Sequence, residues 1–96
     1  MIGNSDAHQT ESAEEKLLNN GYEGTVYLTN SSYDDALIGV SDDGRAIYDY
    51  DLMVEWLVNT EGFTYEEAIE WIDYNTIRAL PYMGENRPIV LYRFGE

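Results

Sequence analysis

Residues 36–50 read ALIGVSDDGRAIYDY, and this stretch decides the fold. Two apolar runs, residues 36–41 and 45–50, flank the triplet Asp42-Asp43-Gly44. Asp and Gly tolerate the positive φ angles that tight hairpin turns require. The pattern therefore predicts a β-hairpin over about residues 36–50.

The sequence predicts a helix on each side of the hairpin. Before it, Thr10 or Ser12 would cap a short helix over about residues 12–20, because a hydroxyl at this position accepts an amide hydrogen bond of the first turn. After it, Asp51 would cap or open a helix over about residues 51–60, whose polar positions recur every four residues.

A third helix is predicted over about residues 65–79. Thr64 and Glu67 have the spacing of a capping box, in which each side chain accepts a hydrogen bond from the backbone N–H of the other residue. Pro81 would end this helix near Leu80, since proline disfavours helical geometry in the residue before it.

Two further strands complete the predicted sheet. Residues 25–29 (TVYLT) and 88–93 (PIVLYR) are rich in β-branched and aromatic side chains. Helices that follow strands favour the α+β class, so we expect a small antiparallel sheet of three to four strands, including the hairpin, with helices on one face. We expect a single domain over residues 11–96, preceded by a flexible leader over residues 1–10.

The composition is strongly acidic. The 96-residue chain has 19 Asp and Glu against five Lys and Arg, for a formal net charge of −14. Such a chain cannot neutralise phosphates and is not expected to bind nucleic acid directly. Its carboxylates could instead take the place of phosphates in a basic site of another protein. Adaptation to high salt, or solubility alone, is the alternative explanation of the charge.

No constellation of residues indicates catalysis. There is no cysteine, the single histidine, His8, lies in the polar leader, and neither a glycine-flanked serine nor a glycine-rich phosphate loop is present. Asp42-Asp43-Gly44 lacks the alternating ligand positions of a calcium loop. We therefore expect a protein that is not an enzyme and uses no metal or cofactor.

No sequence feature predicts a membrane location. Residues 1–6 lack the basic start and apolar core of a signal peptide. No apolar stretch approaches the ~18 residues of a membrane helix. We expect the protein in the cytoplasm of the host cell.

The acids of the third predicted helix lie on one face without an interleaved cation. Glu66, Glu70 and Asp73 span about 10 Å of helix axis, over which one DNA strand places about three phosphates. Tyr74 lies among them, where it could contact partner arginines by cation–π attraction. Arg78, near the helix end, is expected to form a structural salt bridge. The predicted partner-binding residues are Asp42, Asp43, Asp51, Glu55, Glu66, Glu67, Glu70, Asp73 and Tyr74.

The segments DGRAIYDY (residues 43–50) and IDYNTIRALPYM (residues 72–83) resemble small acidic proteins of unassigned function from Firmicutes phages and mobile elements. The resemblance covers roughly residues 36–92 and transfers no functional residues. It implies a context, because small acidic proteins of phages and mobile elements include anti-CRISPR and anti-restriction inhibitors, several of which resemble DNA in charge.

Charge and resemblance together predict a non-enzymatic, anti-CRISPR-like inhibitor that occupies a basic nucleic-acid channel as an acidic DNA mimic. Its expected partner is a basic nucleic-acid-binding protein, with a CRISPR effector subunit as the first candidate. Two alternatives stay open. One is an acidic interaction module such as an antitoxin or immunity protein, and the other is an acid-adapted housekeeping domain.

Overall fold

The computed structural model describes residues 11–95, in which three strands, three α-helices and two 3-10 helices form an α+β fold, as predicted. Residues 1–10, the predicted leader, and residue 96 lie outside the described residues. In chain order the elements are α1 (Ala13–Asn19), a first 3-10 helix (Ser31–Ala36), β1 (Leu37–Val40), β2 (Ala46–Asp49), α2 (Tyr50–Glu61), α3 (Tyr65–Asn75), a second 3-10 helix (Ile77–Met83) and β3 (Ile89–Leu91).

The predicted hairpin is confirmed. β1 and β2 pair antiparallel, with Val40 opposite Ala46. In the turn between them, the Gly44 N–H donates to the Ser41 carbonyl oxygen over 2.9 Å, and Gly44 has a φ of 84°. That left-handed conformation explains why a glycine ends the turn.

The sheet is mixed rather than wholly antiparallel. Its strand order is β1-β2-β3, and β2 pairs with β3 in parallel, Tyr48 with Val90. Parallel neighbours need a long crossover, which α2, α3 and the second 3-10 helix provide. The predicted strand over residues 25–29 is wrong, since this segment has no strand assignment and joins no sheet within residues 11–95. Its Leu28 N–H donates to the Tyr48 hydroxyl over 3.0 Å, so a side chain accepts the hydrogen bond that a neighbouring strand would have taken.

Side-chain caps fix the helix starts. Ser12 caps α1, and Thr64 caps α3 in the predicted capping box. Asp51, predicted to cap or open α2, lies in its first turn, and the cap is two residues earlier. The N-cap is Asp49, whose Oδ1 accepts the Leu52 N–H over 3.1 Å.

α3 is shorter than predicted. The α-helix ends at Asn75, and the predicted continuation to residue 79 belongs to the second 3-10 helix, which contains Pro81. Pro81 has no N–H for a helical hydrogen bond and restricts the residue before it. Before the proline, the helix changes to 3-10 geometry, in which each N–H donates to the carbonyl oxygen three residues earlier. The Ala79 N–H, for example, donates to the Thr76 carbonyl oxygen over 3.0 Å.

The core joins the sheet to α2, α3 and the first 3-10 helix. Its largest fully buried side chains are Tyr33, Tyr48, Met53, Leu57, Ile72, Val54 and Pro88. Both buried tyrosines keep hydrogen-bonded hydroxyls, Tyr48 with the Leu28 N–H and Tyr33 with the Thr76 hydroxyl over 3.1 Å. These bonds matter because an unpaired buried polar group costs about 1–3 kcal/mol.

The buried tyrosines predict a loss of stability at alkaline pH. Burial raises the pKa of Tyr48 to about 12 and also raises the pKa of Tyr33, against an ordinary value of 10.0. Above pH 10 the unfolded chain therefore loses protons that the folded chain keeps, so the free energy of unfolding falls between pH 10 and about pH 12. Tyr48 alone accounts for about 2 kcal/mol of this fall, which urea unfolding followed by circular dichroism measures.

Tyr48→Phe should flatten that pH dependence because the titrating hydroxyl is gone. It should also lower stability at neutral pH by about 1–2 kcal/mol, since the Leu28 N–H loses its acceptor. Tyr82→Phe is the matched control, because Tyr82 is 90% exposed. An equal alkaline loss of stability in the two variants would contradict the role of Tyr48.

Candidate partner-binding surface

The acidic face of α3 is set by the way the helix packs. Ala68 and Ile72 are fully buried in the core, so the opposite side of the helix faces solvent. Glu66, Glu70 and Asp73 lie there at spacings of four and three residues, which aligns them along the helix. All three are exposed. We call these three residues the α3 stripe.

No carboxylate of the α3 stripe is in an ion pair within residues 11–95. The ion pairs in this part of the chain join Arg45 to Asp43, and Arg93 to Asp49 and Asp51. The reason is visible in the sequence, because residues 46–77 hold eight acidic residues and no Lys or Arg. Within residues 11–95, no side chain of the protein therefore pairs with the charge of the α3 stripe.

Other cations are tied to the backbone. Lys16 Nζ donates to the carbonyl oxygens of Asp34 and Leu37 over 2.9 and 3.0 Å. Arg45 Nε donates to the Arg87 carbonyl oxygen over 2.8 Å. These hydrogen bonds hold Lys16 beside the start of β1 and Arg45 beside the segment before β3.

Asp51 of α2 and Asp73 of the α3 stripe both lie near Tyr50. Burial chiefly raises the pKa of Tyr50, and the nearby carboxylates of Asp73 and Asp51 raise it further. Asp51 also lies 3.6 Å from Arg93 Nε, so part of its charge is compensated. Glu55, one turn further along α2, is exposed. The start of α2 thus adds to the negative field of α3.

Asp42 and Asp43 lie on the hairpin turn, whereas α3 packs mainly on α2 and the second 3-10 helix. Asp43 accepts a hydrogen bond from the Ser41 hydroxyl, and that bond, together with the charge of Arg45, lowers its pKa. Its Oδ2 is 3.8 Å from Arg45 Nη1. The hairpin acids therefore form a second acidic site rather than an extension of the α3 stripe.

Beside the α3 stripe lies an open groove of about 980 Å³ that the sequence analysis missed. Its apolar lining comes from four residues, Phe63, Trp71, Tyr74 and Ile77. The rings of Phe63 and Trp71 have centroids 5.5 Å apart. Trp71 is nevertheless 43% exposed and Tyr74 is 69% exposed. We call these four residues the aromatic groove.

Three predicted acids line the same groove, namely Glu67, Glu70 and Asp73. Glu67 also serves the capping box, since its Oε1 accepts the Thr64 N–H over 2.9 Å. One pattern in the sequence could have revealed the groove. Trp71 precedes Tyr74 by three residues, so the two aromatic side chains share a side of α3.

The predicted salt bridge of Arg78 is wrong. Because α3 ends at Asn75, Arg78 lies in the second 3-10 helix, and it is in no ion pair within the described residues. Its guanidinium carbon lies 5.0 Å from the centroid of the Tyr74 ring, which is a cation–π contact. The chain's own arginine thus covers one face of Tyr74.

Two further features are absent from residues 11–95. No group of three or more His, Cys, Asp or Glu side chains in that range is placed to hold a metal ion. None of the described helices is both long and apolar enough to traverse a lipid bilayer. His8, the single histidine, lies outside the described residues.

The fold and this surface define a small acidic α+β protein in which a carboxylate stripe, without an ion pair among residues 11–95, adjoins an aromatic groove. No protein-family model, curated protein or solved structure matches the chain. The resemblance to proteins of Firmicutes phages and mobile elements stays a prediction.

Proposed function

We propose that this protein is a non-enzymatic inhibitor that occupies the basic nucleic-acid channel of a host defence complex, as an anti-CRISPR-like DNA mimic. The α3 stripe carries the proposal, because its three exposed carboxylates are in no ion pair within residues 11–95. Exposed helix faces ordinarily mix both signs of charge. Here the negative charge remains open to a basic partner.

The spacing of the α3 stripe suits a site that holds nucleic acid. From Glu66 to Asp73 the helix rises about 10 Å, and one strand of B-DNA places about three phosphates over that distance. Phosphate-binding Lys and Arg side chains would therefore meet three carboxylates at similar intervals. CRISPR effectors hold their heteroduplex in a positively charged channel, and a subunit of this kind is the first candidate partner.

An antitoxin or immunity protein is the second candidate, and the aromatic groove favours it. Phosphate mimicry needs carboxylates alone, whereas Trp and Tyr are the residue types that often anchor protein–protein interfaces. Trp71 and Tyr74 are exposed beside the α3 stripe. A co-encoded basic toxin would then be the partner, and the contact need not overlap a nucleic-acid site.

Capture followed by competition with DNA separates the two candidates. The tagged protein is used to capture its partner from host lysate, and the purified partner is then mixed with its own DNA or RNA substrate. Under the proposal, the nucleic acid releases the inhibitor, and saturating inhibitor prevents nucleic-acid binding in a mobility-shift assay. A partner that holds both at once would exclude nucleic-acid mimicry.

Association with this partner is expected to slow steeply as salt is added. Salt screens separated charges over a Debye length of about 10 Å at 0.1 M, and electrostatic steering raises association rates by about 10- to 1,000-fold. We expect at least a roughly tenfold fall in the association rate between about 0.03 and 0.3 M NaCl, measured by surface plasmon resonance. A rate that stays constant would mean that the charge serves solubility and that the contact is apolar.

A further inference from the structure

The aromatic groove combines two features that together select a cation. Trp71 and Tyr74 offer exposed ring faces, and Glu67, Glu70 and Asp73 line the same space. Aromatic faces attract guanidinium groups through the ring quadrupole, and carboxylates pair with them through charge-assisted hydrogen bonds. Anionic ligands would be repelled by the same carboxylates.

The chain already places a guanidinium in this groove. Arg78 lies over the Tyr74 ring at 5.0 Å and lines the groove. Within residues 11–95 it makes no ion pair, whereas Arg45 and Arg93 do. Among the described residues, Arg78 is held by its contact with the exposed Tyr74 ring, and such contacts are weak. Another guanidinium could therefore replace it readily.

The size of the groove indicates more than one bound side chain. Its volume of about 980 Å³ is at the upper end of the ~300–1,000 Å³ range typical of pockets that take whole small ligands. Phe63 and Ile77 contribute apolar lining that an arginine alone would not cover. The complementary ligand therefore carries apolar side chains next to a cation.

We propose that the aromatic groove binds a basic, amphipathic peptide segment of the partner, and that an arginine of this segment displaces Arg78 from Tyr74. The inference rests on the proposed function for the basic character of the partner. In this arrangement, apolar contacts in the groove add to the electrostatic contact with the partner. Arg78 competes with the arginine of the peptide for the Tyr74 ring. While Arg78 lies on Tyr74, an arginine of the peptide cannot bind there. The apparent affinity for the peptide is therefore weakened by the fraction of time that Arg78 occupies the site.

Removing the competitor is expected to strengthen binding. The probe is a fluorescein-labelled 15-residue peptide of arginine and leucine, with leucines three and four residues apart on one helical face. Arg78→Ala should bind it about three- to tenfold more tightly, measured by fluorescence anisotropy at about 0.15 M salt. Tyr74→Leu should weaken binding at least about tenfold and remove the effect of Arg78→Ala.

Two variants outside the groove are the matched controls. Arg87→Ala makes the same change of net charge at a residue that does not line the groove, so we expect less than about a twofold effect from it under physiological screening. Tyr82→Leu removes a tyrosine that is 90% exposed and does not line the groove. It should leave peptide affinity unchanged.

Changing the peptide tests the chemistry of the ligand. Replacing its leucines by serine should weaken binding strongly, because the apolar anchor is lost. Replacing its arginines by lysine keeps the charge but loses the planar group that stacks on aromatic rings, and it should also weaken binding. Emission of Trp71, recorded in a Trp56→Phe protein that has no other tryptophan, should change only with peptides that bind.

Equal tightening by Arg78→Ala and Arg87→Ala would overturn the proposal, because charge alone would then explain the effect. Equal affinity for the leucine and serine peptides would overturn it as well. These failures are distinct from failure of the proposed function. A partner could be displaced by nucleic acid although the groove binds no peptide, and the groove could bind the peptide although the partner has no nucleic-acid site.

Discussion

Reversing the charge of the α3 stripe, with Glu66→Lys, Glu70→Lys and Asp73→Lys in one protein, is expected to abolish partner binding. A close charge pair at an interface contributes about 1.5 kcal/mol or more. Loss of three such pairs would weaken binding by about a thousandfold, since each 1.4 kcal/mol is about a factor of ten. Repulsion from the partner's cations adds to this loss. Surface plasmon resonance against the captured partner measures the effect.

The triple variant should stay folded. None of the three carboxylates is in an ion pair among residues 11–95, so the substitutions break none there. Like charges about 6 Å apart in water repel by only ~0.7 kcal/mol before screening, and Lys and Glu have similar helix propensities. Glu66 lies in the first turn of α3, where losing an acid costs about 0.3–1 kcal/mol. The melting temperature should therefore change little.

A second triple variant controls for net charge. Glu14, Glu23 and Glu85 are exposed and lie outside α3. Their replacement by Lys changes the net charge equally, so it should slow association without abolishing binding. Equal losses of affinity in the two triple variants would show that net charge, rather than the α3 stripe, drives binding. Unchanged affinity in a folded α3 variant would exclude this face of the helix.

Local chemistry made part of the fold predictable from the sequence. The hairpin follows from an Asp-Gly pair between two apolar runs, and the start of α3 follows from the Thr64 capping box, because both depend on neighbouring residues. The parallel pairing of β2 with β3 was not predictable in this way. It depends on where the crossover through α2, α3 and the second 3-10 helix returns the chain, which no local pattern records. Residues 25–29 have strand-like composition but pair with no strand among residues 11–95.

The candidate surface was predictable to a similar extent. Helical periodicity placed Glu66, Glu70 and Asp73 on one face because α3 is regular there. The aromatic groove needs Phe63 from before α3 and Ile77 from after it. Its formation depends on how the chain turns at both helix ends. The contact of Arg78 with Tyr74 likewise follows from the early end of α3 at Asn75, which Pro81 favours without fixing the exact residue.

Asp49→Ala is expected to lower stability more than Tyr48→Phe or Asp51→Asn. Asp49 is only 5% exposed, and its Oδ1 caps α2 by accepting the Leu52 N–H over 3.1 Å. Its Oδ2 lies 2.8 Å from Arg93 Nε. One carboxylate thus joins the end of β2, the start of α2 and the segment after β3. Loss of the cap costs about 1 kcal/mol, and loss of a partly buried ion pair adds about 1–2 kcal/mol. The melting temperature should fall by about 10 °C or more.

Two milder variants separate the cap from the ion pair. Asp49→Asn keeps an oxygen for the Leu52 N–H but loses the charge, so it should cost about 1 kcal/mol. Asp51→Asn removes only the exposed contact with Arg93 at 3.6 Å and should cost less than about 0.5 kcal/mol. If Asp49→Ala melted at the temperature of Asp51→Asn, Asp49 would not hold these three segments together. The expected order of stability, with Asp51→Asn highest and Asp49→Ala lowest, would show that the cap and the ion pair both contribute.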